Sequence, residues 1–103
     1  MAFRTFPLRT NAERTYIRLT EVFDWLEPEI IGGKNNKLLA KQRATVFYGN
    51  QDPIEDDVVG DKKIFRKRSA YVVTKFLDDH DLVVGSAIKM ERLAPYTYRF
   101  TPG

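Results

Sequence analysis

The residues of this sequence that are best suited to chemistry form a basic stretch at positions 60–68, with the sequence GDKKIFRKR. The stretch holds five cationic residues and one acidic residue, a net charge of +4, whereas the whole 103-residue chain carries +3. A dense cluster of lysine and arginine beside a rigid element is typical of proteins that bind a phosphate backbone. The basic character of the chain is therefore concentrated at this stretch.

Residues 61–63 indicate a second kind of chemistry, because Asp-Lys-Lys fits the Asp-x-Lys half of a nuclease pattern. In such a site two carboxylates bind Mg²⁺ and a lysine assists the attacking water. An acid from positions 52–57 would supply the second carboxylate, which gives an alternative hypothesis of a small Mg²⁺-dependent nuclease using Asp57, Asp61 and Lys63. The short spacing counts against it, since such acids normally come from well-separated strands.

The composition excludes several functional classes. The chain contains no cysteine, so disulfides, cysteine-ligated zinc and thiol catalysis are ruled out. The one histidine, His80, stands among acidic residues at the predicted end of a helix. The helix dipole favours a cation at that position, and we expect a structural role. We expect no catalytic residue, no metal ligand and no cofactor in this chain.

Length and hydropathy indicate one soluble domain that covers residues 1–103. The chain is 43% hydrophobic and 13% aromatic, which argues against disorder. No apolar run approaches the roughly 18 residues that a membrane-spanning helix needs, and the N-terminus lacks the apolar stretch of a signal peptide. We expect a cytoplasmic protein that does not bind a membrane.

Apolar periodicity predicts a mostly β domain of six or seven short strands and two short helices. Strands are predicted at 6–8, 16–19, 42–48, 87–92 and 96–100, the last two forming a hairpin. The clearest helix begins at its predicted N-cap, Ser69, and runs to residue 79 with one apolar stripe. A shorter helical turn occupies 20–26 and ends before Pro28. The Gly32-Gly33 pair, followed by lysine and asparagine, would allow a close approach to phosphate, but the favoured interpretation is a turn with positive φ.

Two basic loops are candidate phosphate contacts. In the stretch 60–68, Ile64 and Phe65 interrupt the cations and are expected to anchor the segment to the core. A second polar, basic loop near the N-terminus holds Arg9, Thr10, Asn11 and Arg14. The competing interpretations are a solvated charge run and a partner-binding module whose charge keeps the protein soluble.

The ordered set of elements resembles the B3-like DNA-binding domains of bacterial restriction endonucleases. The segments that carry the likeness include FRKRS at 65–69, LVVGS at 82–86 and ERLAPYTYR at 91–99, and the likeness covers nearly the whole chain. It implies a seven-stranded open pseudobarrel with two helices, a fold shared with plant B3 transcription-factor domains. The chain departs from the family at Ser86, where an aspartate is usual, which bears on the stability of that turn.

The resemblance also implies a function, because such domains set two arms into the major groove of double-stranded DNA. Carried over by position, the first arm comprises Arg9, Thr10, Asn11, Glu13 and Arg14, and the second comprises Lys62, Lys63, Arg66, Lys67 and Arg68. Arginine can pair with guanine and asparagine with adenine, whereas lysine more often holds phosphates. We therefore expect the sequence-specific recognition domain of a bacterial restriction endonuclease, with cleavage left to a nuclease domain or subunit.

Overall fold

The computed structural model of the protein describes residues 2–35, 37–67 and 70–103. These residues form a mostly β domain, as the sequence predicts, with short helical segments between the strands. The strands are β1 (Ala2–Pro7), β2 (Ile31–Gly32), β3 (Ala44–Tyr48), β4 (Ile54–Asp56), β5 (Val58–Val59), β6 (Ile64–Phe65), β7 (Ala87–Ala94) and β8 (Thr97–Pro102). The helical segments are two 3₁₀ helices, Thr20–Trp25 and Pro28–Ile30, and one α-helix, α1 (Ala70–Asp79).

The strands divide into two mixed sheets, and within the described residues neither sheet closes on itself. The larger sheet has the order β1-β7-β8-β3-β4, in which β3 and β8 run parallel and the other pairs antiparallel. The smaller sheet has the order β2-β5-β6, with β2 parallel to β5. The predicted hairpin of the last two strands is confirmed, with a register shift between Arg92 and Ala94.

The core follows the predicted alternation of apolar residues. The inward residues of β3, β7 and β8 are buried: Ala44, Val46, Tyr48, Ile88, Met90, Tyr98 and Phe100. The predicted stripe of α1 packs against this core, with Val73, Phe76 and Leu77 buried and Val72 partly buried. Helix α1 therefore closes one side of the larger sheet.

An aromatic cluster ties the two sheets and the helix together. The Phe100 ring stacks on Tyr48 with 5.2 Å between centroids and meets Phe65 of the smaller sheet edge-on at 6.4 Å. Tyr48 in turn meets Phe76 of α1 at 6.4 Å. Ile64 and Phe65 are both buried, which confirms that they anchor the basic stretch to the core.

Residues 16–19 correct one prediction. Ile17 and Leu19 are buried, as the alternation indicates, but no strand forms there. The segment runs between two loops, and among the described residues it donates one backbone hydrogen bond to each, to Arg9 and to Lys63. A strand needs a continuing ladder, and single bonds on either side do not supply one.

The helical predictions are confirmed in position, with differences at their ends. The first 3₁₀ helix ends at Trp25, and Pro28 starts the second 3₁₀ helix instead of ending the first. The predicted N-cap, Ser69, lies outside the described residues. No helix of the described ranges is long and apolar enough to cross a lipid bilayer.

Replacing Phe100 with alanine is expected to lower the free energy of unfolding by about 3–5 kcal/mol. The ring is fully buried and lies where the two sheets meet. Urea unfolding followed by circular dichroism measures the change. Phe3→Ala is the control, because Phe3 is 57% exposed and its loss is expected to change stability by about 0.5 kcal/mol or less. Equal losses in the two variants would contradict this account of the core.

Candidate nucleic-acid interface

The structure places the two predicted basic loops side by side. The first loop, residues 9–15, follows β1, and the second, residues 60–67, surrounds β6. Residues 16–19 run between them, with the Arg18 N–H donating to the Arg9 carbonyl at 2.9 Å and the Leu19 N–H donating to the Lys63 carbonyl at 2.7 Å. Residues 9–19 and 60–67 therefore form one continuous region, called here the two-loop surface.

Arg18 reinforces this junction, although sequence reasoning did not select it as a site residue. Its Nη1 donates to the Lys62 carbonyl at 3.3 Å, and its Nη2 donates to the Tyr16 hydroxyl at 3.2 Å. The guanidinium also lies 5.6 Å from the centre of the Tyr16 ring. The arginine-rich composition of residues 4–18 was the signal that could have singled it out. Arg18 places a half-buried cation between the two loops.

Polar side chains of the first loop hold its shape. The Asn11 Oδ1 accepts the Thr15 N–H at 2.8 Å, while its Nδ2 donates to Glu13 at 3.0 Å and to the Thr15 hydroxyl at 2.8 Å. The Thr10 hydroxyl donates to the Tyr16 carbonyl. In this conformation the Asn11 amide, which the sequence assigns to adenine, is engaged inside the loop, and Glu13 is exposed.

The two arginines of the first loop have different surroundings. Arg14 pairs with Asp78 at 3.2 Å and donates to the Leu82 carbonyl at 2.6 Å, so its guanidinium fastens the loop to the end of α1. The Arg9 side chain is 57% exposed, with its Nε paired to Glu21 at 3.0 Å. Arg9 is therefore the arginine of this loop that is better placed to meet a ligand.

Two of the three lysines of the second loop face outward. Lys62 and Lys67 are exposed, and the ammonium of Lys63 lies 5.4 Å from the centre of the Phe23 ring. Arg68, a further member of the predicted arm, lies outside the described residues. Lys62 and Lys63 present positive charge beside residues 16–19, as a phosphate contact requires.

Both loops contain a residue in the left-handed backbone region. Arg14 has φ of 57° and Lys63 has φ of 55°. This conformation costs a residue with a Cβ atom roughly 1–2 kcal/mol, so it persists only where the surrounding structure imposes it. Asp81 and Tyr96, outside the two loops, share this conformation, so in each case it marks a backbone whose shape is imposed by the surrounding structure.

The second loop is held by a buried ion pair between Arg66 and Asp57. The Arg66 Nε donates to Asp57 Oδ1 at 2.8 Å, and its Nη2 donates to Oδ2 at 2.9 Å. The side chains are only 11% and 7% exposed. The sequence predicts a DNA contact at Arg66, whereas the structure turns its guanidinium inward, so its role here is to position the loop.

The same guanidinium fastens a third segment of chain. Arg66 donates to the Gly33 carbonyl at 2.9 Å through Nη2 and to the Asn35 carbonyl at 3.2 Å through Nη1. The Asp57 Oδ2 also accepts the Ala40 N–H at 2.9 Å. One ion pair therefore connects the second loop, the start of β5 and the loop that follows β2.

This close packing explains Gly32, for which the sequence predicts a turn with positive φ. In the described chain the glycines with positive φ are Gly49 and Gly85, so that prediction is wrong. A Cβ atom at Gly32 would lie 2.7 Å from atoms of Ala40, Arg66 and Asp57. Glycine is required here because the ion pair passes directly over the backbone.

The neighbouring carboxylate, Asp56, is buried and holds the backbone of the same loop. Its oxygens accept the Lys67 N–H at 2.9 and 3.2 Å and the Asp57 N–H at 2.8 Å. Burial raises the pKa of Asp56, and these two N–H groups offset part of the rise. Burial also acts to raise the pKa of Asp57, but hydrogen bonds from Arg66 and Ala40 and the charge of Arg66 bring it below its ordinary value.

The nuclease alternative names three side chains that face different surroundings. Asp57 is occupied by Arg66, Asp61 is exposed in the turn after β5, and Lys63 lies over Phe23. Within the described ranges no three histidine, aspartate or glutamate side chains converge as a metal ion requires. The geometry offers no observation that favours metal-dependent cleavage.

Comparison of the chain with protein-family models, with curated proteins and with solved structures finds no match. The two-loop surface is therefore the basis for a functional proposal. It is a preformed, basic surface in which residues 16–19 hydrogen-bond to both loops, with exposed cations on both sides.

Arg66→Ala is expected to lower the free energy of unfolding by roughly 3–5 kcal/mol, since it leaves the buried Asp57 carboxylate without its partner. Chemical denaturation measures the loss. Lys67→Ala is the matched control, because Lys67 is the next residue and is exposed. A loss below about 1 kcal/mol in Arg66→Ala would contradict the structural role of the ion pair.

The stabilising effect of Asp57 is expected to disappear in acid. Because its pKa is lower in the folded state, the stabilisation is present above the unfolded value of about 3.9 and is lost as pH falls through the folded pKa. The difference in unfolding free energy between the unaltered protein and Asp57→Asn should be large at neutral pH and shrink below about pH 4. Asp24→Asn, at a 79% exposed side chain, should show little difference at either pH.

Proposed function

We propose that this chain is a domain that binds double-stranded DNA in a sequence-specific manner through the two-loop surface. The observation that carries the proposal is the bridge formed by residues 16–19, in which the Arg18 N–H donates to the Arg9 carbonyl at 2.9 Å and the Leu19 N–H to the Lys63 carbonyl at 2.7 Å. Two loops that are far apart in sequence are held next to each other there, and each contributes exposed positive charge. A rigid pair of basic loops suits the major groove, which is wide enough to admit protein elements.

The lysines and arginines of the two-loop surface differ in the contacts that they can make with DNA. Lys62, Lys63 and Lys67 are point charges that suit phosphates, so they would fix position on the duplex without reading sequence. Arg9 is the exposed arginine of the first loop, and Arg18 lies between the loops. The planar guanidinium of Arg9 can donate two hydrogen bonds to a guanine edge. The Nη atoms of Arg18 are instead engaged by the Lys62 carbonyl and the Tyr16 hydroxyl.

The likeness to B3-like domains adds a finer proposal. We propose that the two open sheets are a B3-like pseudobarrel and that the chain is the recognition domain of a bacterial restriction endonuclease, which acts in the cytoplasm. On this proposal cleavage belongs to another domain or subunit. The described residues form eight strands, one more than the likeness implies.

Selection of bound sequences from a random duplex pool, followed by titration of the selected duplex, tests the proposal. Lys62→Ala is expected to weaken binding to all duplexes and to reduce the slope of log affinity against log salt by about 1. Arg9→Ala is expected to cost about 1–3 kcal/mol and to relax preference at one base pair if this arginine reads a base.

Lys89→Ala is the matched control, because Lys89 lies on β7 beside Glu91 and over the Phe3 ring, away from both loops in sequence. Lys89→Ala should leave the affinity for DNA and the slope of log affinity against log salt nearly unchanged. Failure of the unaltered protein to bind any duplex at low salt would overturn the proposal. Equal effects of Lys62→Ala and Lys89→Ala would show that net charge matters and the two-loop surface does not.

A further inference from the structure

A third basic segment lies outside both predicted arms. Residues 33–43 contain four cationic residues and no acidic one. Lys34, Lys37, Lys41 and Arg43 are all exposed. The ion pairs formed within the described chain involve none of these four. Their charge is therefore available to an anionic partner.

The described backbone of this segment is fixed at several points. The Gly33 N–H donates to the Leu38 carbonyl at 2.6 Å, and the Gln42 N–H donates to the Glu29 carbonyl at 3.0 Å. The Ala40 N–H is bound to Asp57, and the Gly33 and Asn35 carbonyls accept from Arg66. The cations therefore project from an ordered loop whose position is tied to the second loop of the two-loop surface.

Cations of this segment meet a cation of the two-loop surface at one cleft. Lys41, Arg43 and Lys67 line a cleft of about 220 Å³, with Asp56, Asp57 and Arg66 among its other lining residues. Both carboxylates are nearly buried and accept hydrogen bonds from Arg66 and from backbone N–H groups. The exposed side of the cleft is thus dominated by three cations that come from two segments.

We propose that residues 33–43 form a third contact with DNA, in which Lys41 and Arg43 bind backbone phosphates next to the phosphate held by Lys67. The inference rests on the proposed function and extends it beyond the two arms. Because these side chains would contact phosphates, the segment would raise affinity for every duplex without changing the preferred sequence. The Arg66–Asp57 pair would keep this contact in register with the second loop.

The test compares the unaltered protein with the double variant Lys41→Ala/Arg43→Ala on a selected duplex of about 20 base pairs, roughly two helical turns. Fluorescence anisotropy measures affinity between about 50 and 200 mM salt. Loss of two phosphate contacts should reduce the slope of log affinity against log salt by about 1.8. Selection from a random pool should return the same preferred sequence for both proteins.

Lys75→Ala/Lys89→Ala is the matched control, since it removes the same charge from α1 and β7, where both lysines pair with acids. Lys41→Gln is a second variant, which removes the charge while keeping most of the side chain, and it is expected to weaken binding without lowering the free energy of unfolding. If the unaltered protein binds DNA and the segment variants show the same slope of log affinity against log salt, the third contact is overturned and the two-loop proposal stands. If the unaltered protein binds no duplex, both are overturned. An altered preferred sequence would also overturn a contact limited to phosphates.

Discussion

The buried ion pair between Arg66 and Asp57 holds together the parts of the molecule that matter most for its proposed function. Asp57 stands between β4 of the larger sheet and β5 of the smaller one, and Arg66 follows β6 in the basic stretch. A buried charge is tolerated only when it is paired and hydrogen-bonded. Both partners meet that condition through two mutual hydrogen bonds and further bonds to Gly33, Asn35 and Ala40. The orientation of the basic loops depends on this arrangement.

The ion pair also divides the cations of the basic stretch by role. Arg66 is enclosed, and Lys63 lies against Phe23, while Lys62 and Lys67 remain exposed. Ile64 and Phe65 fill the core between them. Neighbouring residues of one charged run therefore have different roles, because Ile64 and Phe65 are both buried and the buried acid Asp57 binds one guanidinium. The stretch therefore presents exposed positive charge at particular positions and not along its whole length.

Hydrogen bonds also connect the two-loop surface to the segment 33–43. Residues 16–19 join the two loops through backbone hydrogen bonds, and Arg66 joins the second loop to the third segment. Exposed cations from three parts of the chain are thus fixed relative to one another before any partner arrives. Such preorganisation reduces the ordering that binding would otherwise require. It suits a duplex, whose phosphates are regularly spaced.

Sequence reasoning found the features that depend on local pattern: the mostly β class, the hairpin of β7 and β8, the apolar stripe of α1 and the anchors Ile64 and Phe65. It identified the basic stretch because charge is readable directly. It could not find the Arg66–Asp57 pair, the close approach at Gly32 or the role of Arg18, and it placed a strand at 16–19 where no ladder forms. Each of these depends on how separate segments pack together. The Arg66–Asp57 pair spans nine residues and the Arg18–Lys62 bond spans 44, and neither separation leaves a periodic signal in the chain. Composition and periodicity thus set the elements and the charge of this protein, whereas packing between remote segments set which cations are buried and which are exposed.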